Sequence, residues 1–565
     1  MSLIGALNIG STALTVSQAQ IQTSGNNIAN ANTPGYTRQV AGQAPLPSQQ
    51  IQTGVFVGTG VNLTGIQRQI DQALESRLRA AGSDAAAADT AQQWLGRVES
   101  SFNALSGNDL SAQLSTFFNS WSNLANTPQN AGLRQVVLSN GDTVAKTFQG
   151  LRSQLAGLSN DAGSQIGAVA GQANDLAQRV ANLNAQIVVT EGGSGGTAGT
   201  LRDQRDQILK QLSQLVDVHT VEQANGSVNV YVGSEPLVMN GQNRGIDVKQ
   251  SVVNGLSTYS AVFKADGGTL NITSGQLGSL VSVQQQISDA VTKLDSQANA
   301  LIFQLNKIHG SGQGLQGATT VTATSAVTDP TVALNNPKSG LKFAPNNGSF
   351  VVHVKQNSTG LVSSTLVKVD LNGQPTDTTL NSLKASLAGI NGVNATFANG
   401  KLSIAAATPD VEISFSQDTS GALASLGINN FYTGNNAANI AVNQTLAAQP
   451  SLLAASKNGS PGDNQTALAI AALEGQPIAS LKGASLKDSY QSLVNKIATS
   501  TAAAKTNAEA SKSITETLQA QRDAMSGVSI DEEAVNLLKQ QRAFQAAAKL
   551  ITAVDDMMKT LLAMA

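Results

Sequence analysis

The large apolar residues at the two ends of the chain recur every seven positions. Near the N-terminus these residues are Leu7, Leu14, Ile21 and Ile28, and near the C-terminus they are Ile530, Leu537, Phe544, Ile551 and Met558. A seven-residue period places such side chains along one face of a helix, as in the seam of a coiled coil. An isolated helix of this length is marginal in water. The pattern therefore predicts paired terminal helices; two unrelated surface helices are the alternative.

The N-terminal helix is predicted to end in a bend. The stretch "NNIANANTPGYTRQV" spans Asn26 to Val40, and the first 37 residues contain no Lys, Arg, Asp or Glu. Asn and Gly tolerate left-handed backbone conformations, and a proline disfavours helix at the residue before it. We expect the helix to end near Ile28, and we assign the bend to Asn26, Asn27, Asn30, Pro34, Gly35 and Tyr36.

The C-terminal helix is predicted to begin near Ile530. Ser529 is a plausible N-cap, and Asp531, Glu532 and Glu533 lie in the first turn, where negative charge suits the helix dipole.

Most of the chain between the ends shows helical periodicity. Apolar residues at three-and-four spacing predict helix from about residue 70 to 159, a further helix over 176–187, another from Leu201 and a long one over 280–308. A short β-hairpin is predicted within Gly54–Asp71, and a small β section near 218–263. Long antiparallel helices of this kind form rods.

Between about residues 328 and 434 the period changes to two. The predicted strands are Phe350–Lys355, Leu366–Leu371, Ala395–Phe397, Lys401–Ala405 and Val411–Phe415, with helical turns at 380–390 and 421–426. This pattern predicts an inserted α+β domain.

The fold class is thus mainly α with inserted α+β domains. The predicted organisation is a terminal-helix domain (1–40 plus 525–565), a helical rod domain (41–327 plus 435–524) and an outer β-rich domain (328–434).

The composition argues against catalysis, metal binding and nucleic-acid binding by this chain. Net charge is −2 with a pI near 6.0, so we expect neither a nucleic-acid nor a membrane partner. There is no cysteine, and His219, His309 and His353 are widely separated. We therefore expect no metal, no cofactor and no catalytic residues. The N-terminus also lacks the features of a cleaved secretory signal.

Both ends resemble a known family. The stretch from Ser24 to Arg38 is similar to the N-terminal signature of bacterial flagellar rod, hook and hook-associated subunits, and Ser526–Met564 is similar to their C-terminal signature. Within that family, "GTLRDQRDQILKQLSQLVDV" (Gly199–Val218) and "LGINNFYTGNNAANIAVN" (Leu426–Asn443) resemble segments typical of hook-associated protein 1.

The resemblance implies a structural subunit of the flagellum at the hook–filament junction. It implies self-assembly into a helical or ring array through the terminal helices. It also implies contact with the hook protein and a second junction protein, and export unfolded and uncleaved with a cytoplasmic chaperone near the C-terminus. The alternatives are a hook or distal-rod subunit, a secreted enzyme with flagellar ends, and an adhesin that uses the domain at 328–434.

Overall fold

The computed structural model describes residues 3–102, 109–192 and 198–564. Its helices are α1 (Leu3–Ala29), α2 (Gln72–Phe102), α3 (Leu110–Asn126), α4 (Ala131–Glu191), α5 (Gly199–Leu215), α6 (Gly275–Gly310), α7 (Leu380–Ala388), α8 (Ala422–Leu426), α9 (Gln444–Ala448), α10 (Gln465–Ala472), α11 (Leu486–Ser526) and α12 (Ile530–Met564).

The strands form small antiparallel sheets. They are β1 (Gln39–Pro45), β2 (Gln49–Gln52), β3 (Val55–Val57), β4 (Val61–Arg68), β5 (Val218–Glu222), β6 (Val228–Val232), β7 (Glu235–Met239), β8 (Gln242–Asn243), β9 (Ile246–Val253), β10 (Leu256–Phe263), β11 (Thr320–Thr322), β12 (Gly348–Gln356), β13 (Val362–Val369), β14 (Val393–Ala398), β15 (Lys401–Ala406), β16 (Val411–Ser416), β17 (Tyr432–Thr433) and β18 (Ala441–Val442).

The two terminal helices pack against each other, and the long helices α2, α4, α6 and α11 pack side by side with α3 and α5. α4 is one continuous helix of 61 residues, whereas the periodicity predicted two. The stretch that was predicted to break the helix contains Gly163, a glycine that serves packing. A Cβ on Gly163 would overlap the Tyr259 ring, so the missing side chain lets strand β10 approach the helix.

The hairpin predicted within Gly54–Asp71 is wrong in its pairing. β3 and β4 do lie in that stretch, but β4 pairs with β1 and β3 pairs with β2, so both partners come from residues 39–52. The two hairpins are nested, and Gly54 at φ +83° turns the inner one. The uncharged, Gln-rich sequence of β1 and β2 gives little alternation of apolar and polar residues, which is why the pattern missed both strands.

The strands and helical turns predicted between 350 and 426 are confirmed, with boundary shifts of at most four residues. They surround a hydrophobic cluster that runs from Ala323 to Ile428 and is separate from the larger cluster of the long helices. β12 lies between β13 and β16, while β15 lies between β11 and β14.

The chain returns from this region to the long helices at an aromatic cluster. Phe431 and Tyr432 pack on Phe117 of α3, with ring centroids 5.6 and 6.0 Å away. Asn306 of α6 accepts hydrogen bonds from both of their backbone N–H groups, at 3.0 and 2.9 Å. Here α6 holds the returning segment by side-chain hydrogen bonds to its backbone.

His309, at the end of α6, is a structural residue of this junction. It is fully buried, its Nδ1 lies 2.8 Å from the Asn429 carbonyl, and its Nε2 accepts the Ala454 N–H. Burial, with the nearby charge of Arg134, lowers the pKa of His309 to about 4. The imidazole is therefore neutral at pH 7 and joins the segment after β16 to the segment before α10.

Candidate functional site

The pairing of α1 with α12 brings the two ends of the chain together. Gly10 faces Ile551, and Asn27 contacts Glu533, so the two helices run antiparallel. A Cβ on Gly10 would lie 2.7 Å from the Ile551 Cγ1, so any larger residue at position 10 would displace Ile551.

The residues that are buried on these two helices, here called the buried seam, are mostly small or polar, and α1 packs on β1 and β4 as well as on α12. On α1 the buried residues are Gly10, Val16, Ser17, Thr23, Ser24 and Asn27, and on α12 they are Glu533, Ala547 and Val554. Gly10, Ser17 and Ser24 recur every seven residues, as do Ala547 and Val554. The helices therefore pack closely through small side chains.

The large apolar residues of the predicted seam lie beside this buried seam. Leu7, Leu14, Ile21 and Ile28 of α1 are half-buried, as are Leu537, Ile551 and Met558 of α12. Ile530 is 52% exposed and Phe544 is 36% exposed. In the single chain, these nine side chains thus keep part of their apolar surface in contact with solvent.

Asn27 organises the bend after α1. Its amide donates to the Gln39 carbonyl at 2.9 Å and to Glu533 Oε2 at 3.2 Å, while its Oδ1 accepts from the Gln39 N–H and the Tyr36 hydroxyl. The other predicted bend residues lie on the surface around it. Asn26 and Asn30 bond to each other, Pro34 is exposed, and Gly35 has φ +81°.

Glu533 ties the bend to the start of α12. Its side chain is 3% exposed and lies 2.7 Å from Arg38, the first charged residue of the chain. Burial raises the pKa of Glu533, but hydrogen bonds from Asn27, Ser24 and Arg38 outweigh that effect and leave the pKa below its ordinary value of 4.5. The carboxylate is therefore ionised at pH 7 and fully partnered.

A second ionic group connects the bend to α5. Asp203 accepts the Thr37 N–H at 3.3 Å and pairs with Arg68 at 2.8 Å, and the same guanidinium reaches Asp206 at 2.6 Å. Burial raises the pKa of Asp203, although Arg68 and the Thr37 N–H oppose that shift. Both aspartates belong to the "LRDQRDQ" stretch of α5, which thereby fixes the chain where it leaves the terminal helices.

A third contact joins the bend to α11 and α2. Arg522 of α11 pairs with Glu75 of α2 at 3.2 Å and donates to the Tyr36 carbonyl at 3.5 Å. Burial, with the charges of Asp203 and Glu533, raises the pKa of Tyr36 to about 12. A cleft of about 500 Å³ lies between the bend and these helices.

Within the described residues, no group of three potential metal ligands occurs, and no helix is both long and apolar enough to cross a membrane.

The sequence matches three family descriptions of flagellar proteins. Residues 95–322 match the flagellar hook-associated protein FlgK helical domain, residues 7–37 match the flagella basal body rod protein, and residues 509–564 match the flagellar basal body rod FlgEFG protein C-terminal. Flagellar hook-associated protein 1 of Escherichia coli (strain K12) is 26% identical over 98% of this chain and 99% of that protein.

A relative from another bacterium matches a shorter part of the chain. The protein of the same name in Bacillus subtilis (strain 168) is 25% identical over 68% of this chain and 85% of that protein. The flagellar hook junction protein FlgK from Burkholderia pseudomallei shares the fold, with a TM-score of 0.50 and 16% identity over 80% of this chain and all of that one.

The chain is thus similar to flagellar hook-associated protein 1 along nearly its whole length. The two terminal matches, 7–37 and 509–564, contain most of α1, the bend, the end of α11 and α12. The segments shared with rod proteins are therefore those that meet at the site described above. The helical-domain match supplies α3 to α6 and with them Asp203 and Asp206.

Sequence reasoning missed the charged residues of the site. Glu533 does lie in the first turn of α12, as predicted from the helix dipole, but it also binds Asn27 and Arg38. Asp203, Arg68 and Arg522 had no assigned role. One signal was available: Arg38 ends a charge-free stretch of 37 residues, so it is the first residue of the N-terminal segment that can pair with the acidic first turn of α12.

Gly10→Leu should separate α1 from α12. The added side chain overlaps Ile551, and overpacking of a close contact costs about 1–3 kcal/mol. We expect faster hydrogen exchange at the backbone amides of residues 10–28. Gly25→Leu is the matched control, because an added Cβ there meets nothing within 4 Å. Equal protection of α1 in the two variants would contradict this packing.

Glu533→Gln should loosen the start of α12 in a pH-dependent way. Because the pKa of Glu533 is lowered in the folded chain, its contribution is complete above the ordinary value of 4.5 and disappears as the pH falls through the lowered pKa. We expect the variant to lose about 1–2 kcal/mol of local stability at pH 7. The difference from the unsubstituted chain should vanish on acidification.

Hydrogen exchange, corrected for intrinsic rates, measures this difference across a pH series. Glu532→Gln is the control, because Glu532 is 66% exposed and lies 3.5 Å from the same Arg38. A loss in Glu533→Gln that is the same at every pH would show that the charge of Glu533 is not what matters.

Proposed function

We propose that this chain is a structural subunit of the bacterial flagellum that forms the junction between hook and filament. The observation that carries the proposal is the match to hook-associated protein 1 along 98% of the chain. A hook or distal-rod subunit, the nearest alternative, is expected to carry mostly β-structure between its ends. The long helices α2 to α6 and the helical-domain match at 95–322 favour hook-associated protein 1 instead.

Assembly is proposed to occur through the terminal helices. Within one chain, α1 and α12 pack against each other through small residues. The larger apolar side chains lie beside that seam and are half-buried. Such flanking positions can be covered by the terminal helices of neighbouring copies. The assembly interface is accordingly Leu7, Leu14, Ile21, Ile28, Ile530, Leu537, Phe544, Ile551 and Met558.

The three predicted domains then have separate tasks. The terminal helices of many copies form an inner tube, the long helices form the layer around it, and the α+β region near 328–434 faces outward. Two observations support this division: the hydrophobic cluster of residues 323–428 is separate from that of the long helices, and the bend at Asn27 redirects the chain from α1 to β1.

A flagellar component of this family is extracellular and assembles with other flagellar proteins. We further propose contacts with the hook protein and with the second junction protein. Export is proposed to occur without a cleaved signal, assisted by a cytoplasmic chaperone that binds near the C-terminus. The proposed function includes no catalytic step and no cofactor.

Aspartate at an interface position should block assembly without unfolding the chain. Leu14 and Ile21 are half-buried and Phe544 is 36% exposed in the single chain, so Leu14→Asp, Ile21→Asp and Phe544→Asp leave the carboxylate hydrated there. Assembly would bury that charge without a partner, at a cost of several kcal/mol. We expect cells that carry only such a variant to produce hooks without filaments and to be non-motile.

Electron microscopy of the cells and circular dichroism of the purified variants check this prediction. Gln18→Asp and Gln22→Asp are matched controls, because both residues are exposed on α1, and they should build normal junctions. Normal filaments on cells carrying Leu14→Asp or Phe544→Asp would contradict the proposed interface.

A further inference from the structure

Strand β13, at the edge of the sheet that β12 and β16 complete, leaves one side of its backbone unpaired. Its residues pair with Gly348–Lys355 of β12 on the other side. Apart from that ladder, no backbone hydrogen bond within the described residues involves 362–369. An antiparallel edge strand directs about half of its N–H and C=O groups away from its only neighbour, and these can accept another strand.

This edge exposes apolar side chains and carries only one charge, whereas exposed edge strands usually carry several charges that prevent pairing with another strand. Val362 and Leu366 are each 57% exposed on one face, and Leu361 beside them is 68% exposed. Val367 and Val369, on the other face, are buried in the hydrophobic cluster. Lys368 is the one charged residue of β13, and Gln356 to Val367 contains no charge and no proline.

Edge strands are commonly guarded by several charges, a proline, a bulge or a covering segment. β13 has one charge near its end, and its ladder with β12 is regular over eight residue pairs. A long, flat edge with exposed Val and Leu is therefore a surface for strand pairing.

We propose that β13 pairs with β13 of a second copy of this chain, antiparallel and centred on Ser364. In this register the exposed faces of both sheets lie on the same side. Val362 of each copy then lies opposite Leu366 of the other copy, so the contact occurs twice. It places Lys368 beside Gly360, so no like charges meet. The charge pattern thus fits a second copy of the same strand.

This contact is distinct from the assembly of the terminal helices. A two-fold pairing of β13 joins two copies and then stops, whereas a ring or helical array needs a head-to-tail contact. The pairing therefore links the outer regions of two copies and depends on none of the residues of α1 or α12.

The test is the molar mass of the full-length chain in solution, from about 1 µM to about 1 mM, a range that covers weak pairs. Sedimentation equilibrium should show a rise from the 57.8 kDa of one chain toward twice that value. Leu366→Lys and Val362→Lys should each weaken the pairing and raise its dissociation constant at least about tenfold. The matched control Val252→Lys, at a residue 69% exposed on β9, should leave it unchanged.

Hydrogen exchange gives a second readout that does not depend on a variant. The backbone amides of residues 362–368 should gain protection as the concentration rises. A chain that remains monomeric throughout the range overturns the proposal. A dimer that persists in Leu366→Lys and Val362→Lys also overturns it, and so does a dimer that is lost in Leu14→Asp. In either case the contact between the two copies does not lie at β13.

Discussion

The burial of one ionised carboxylate at the start of α12 connects the two ends of the chain. Glu533 is 3% exposed, and an unpartnered charge in such a position would cost several kcal/mol. Asn27 and Arg38 supply the partners, and both lie where α1 gives way to β1. The bend after α1, the antiparallel pairing of α1 with α12 and the path into β1 are therefore set by the same few hydrogen bonds.

From this point the constraint spreads into the long helices. Thr37, one residue before Arg38, donates its N–H to Asp203, which shares Arg68 with Asp206. Arg522 completes the connection by binding both Glu75 and the Tyr36 carbonyl. The terminal helices are thus attached to α2, α5 and α11 by directional polar contacts, which fix an orientation better than apolar packing alone.

The sequence predicted the helices at both ends and the strands between 350 and 416, because each shows a clear local period. It did not predict which face of α1 meets α12. The buried face carries Gly10, Ser17 and Ser24, and small residues have no weight in a search for large apolar side chains. Nor did it predict Asn27 with Glu533, because a contact across 506 residues leaves no local pattern. The pairing of β1 with β4 was missed for a related reason, since a Gln-rich strand lacks alternation.

The central claim is that paired terminal helices of many copies form the inner wall of the hook–filament junction. Electron cryo-microscopy of flagella isolated from the source bacterium measures this arrangement directly. The account predicts density for this chain between hook and filament, with α1 and α12 innermost and the region near 328–434 outermost. Absence of the chain from that position, or terminal helices on the outer surface, would contradict it.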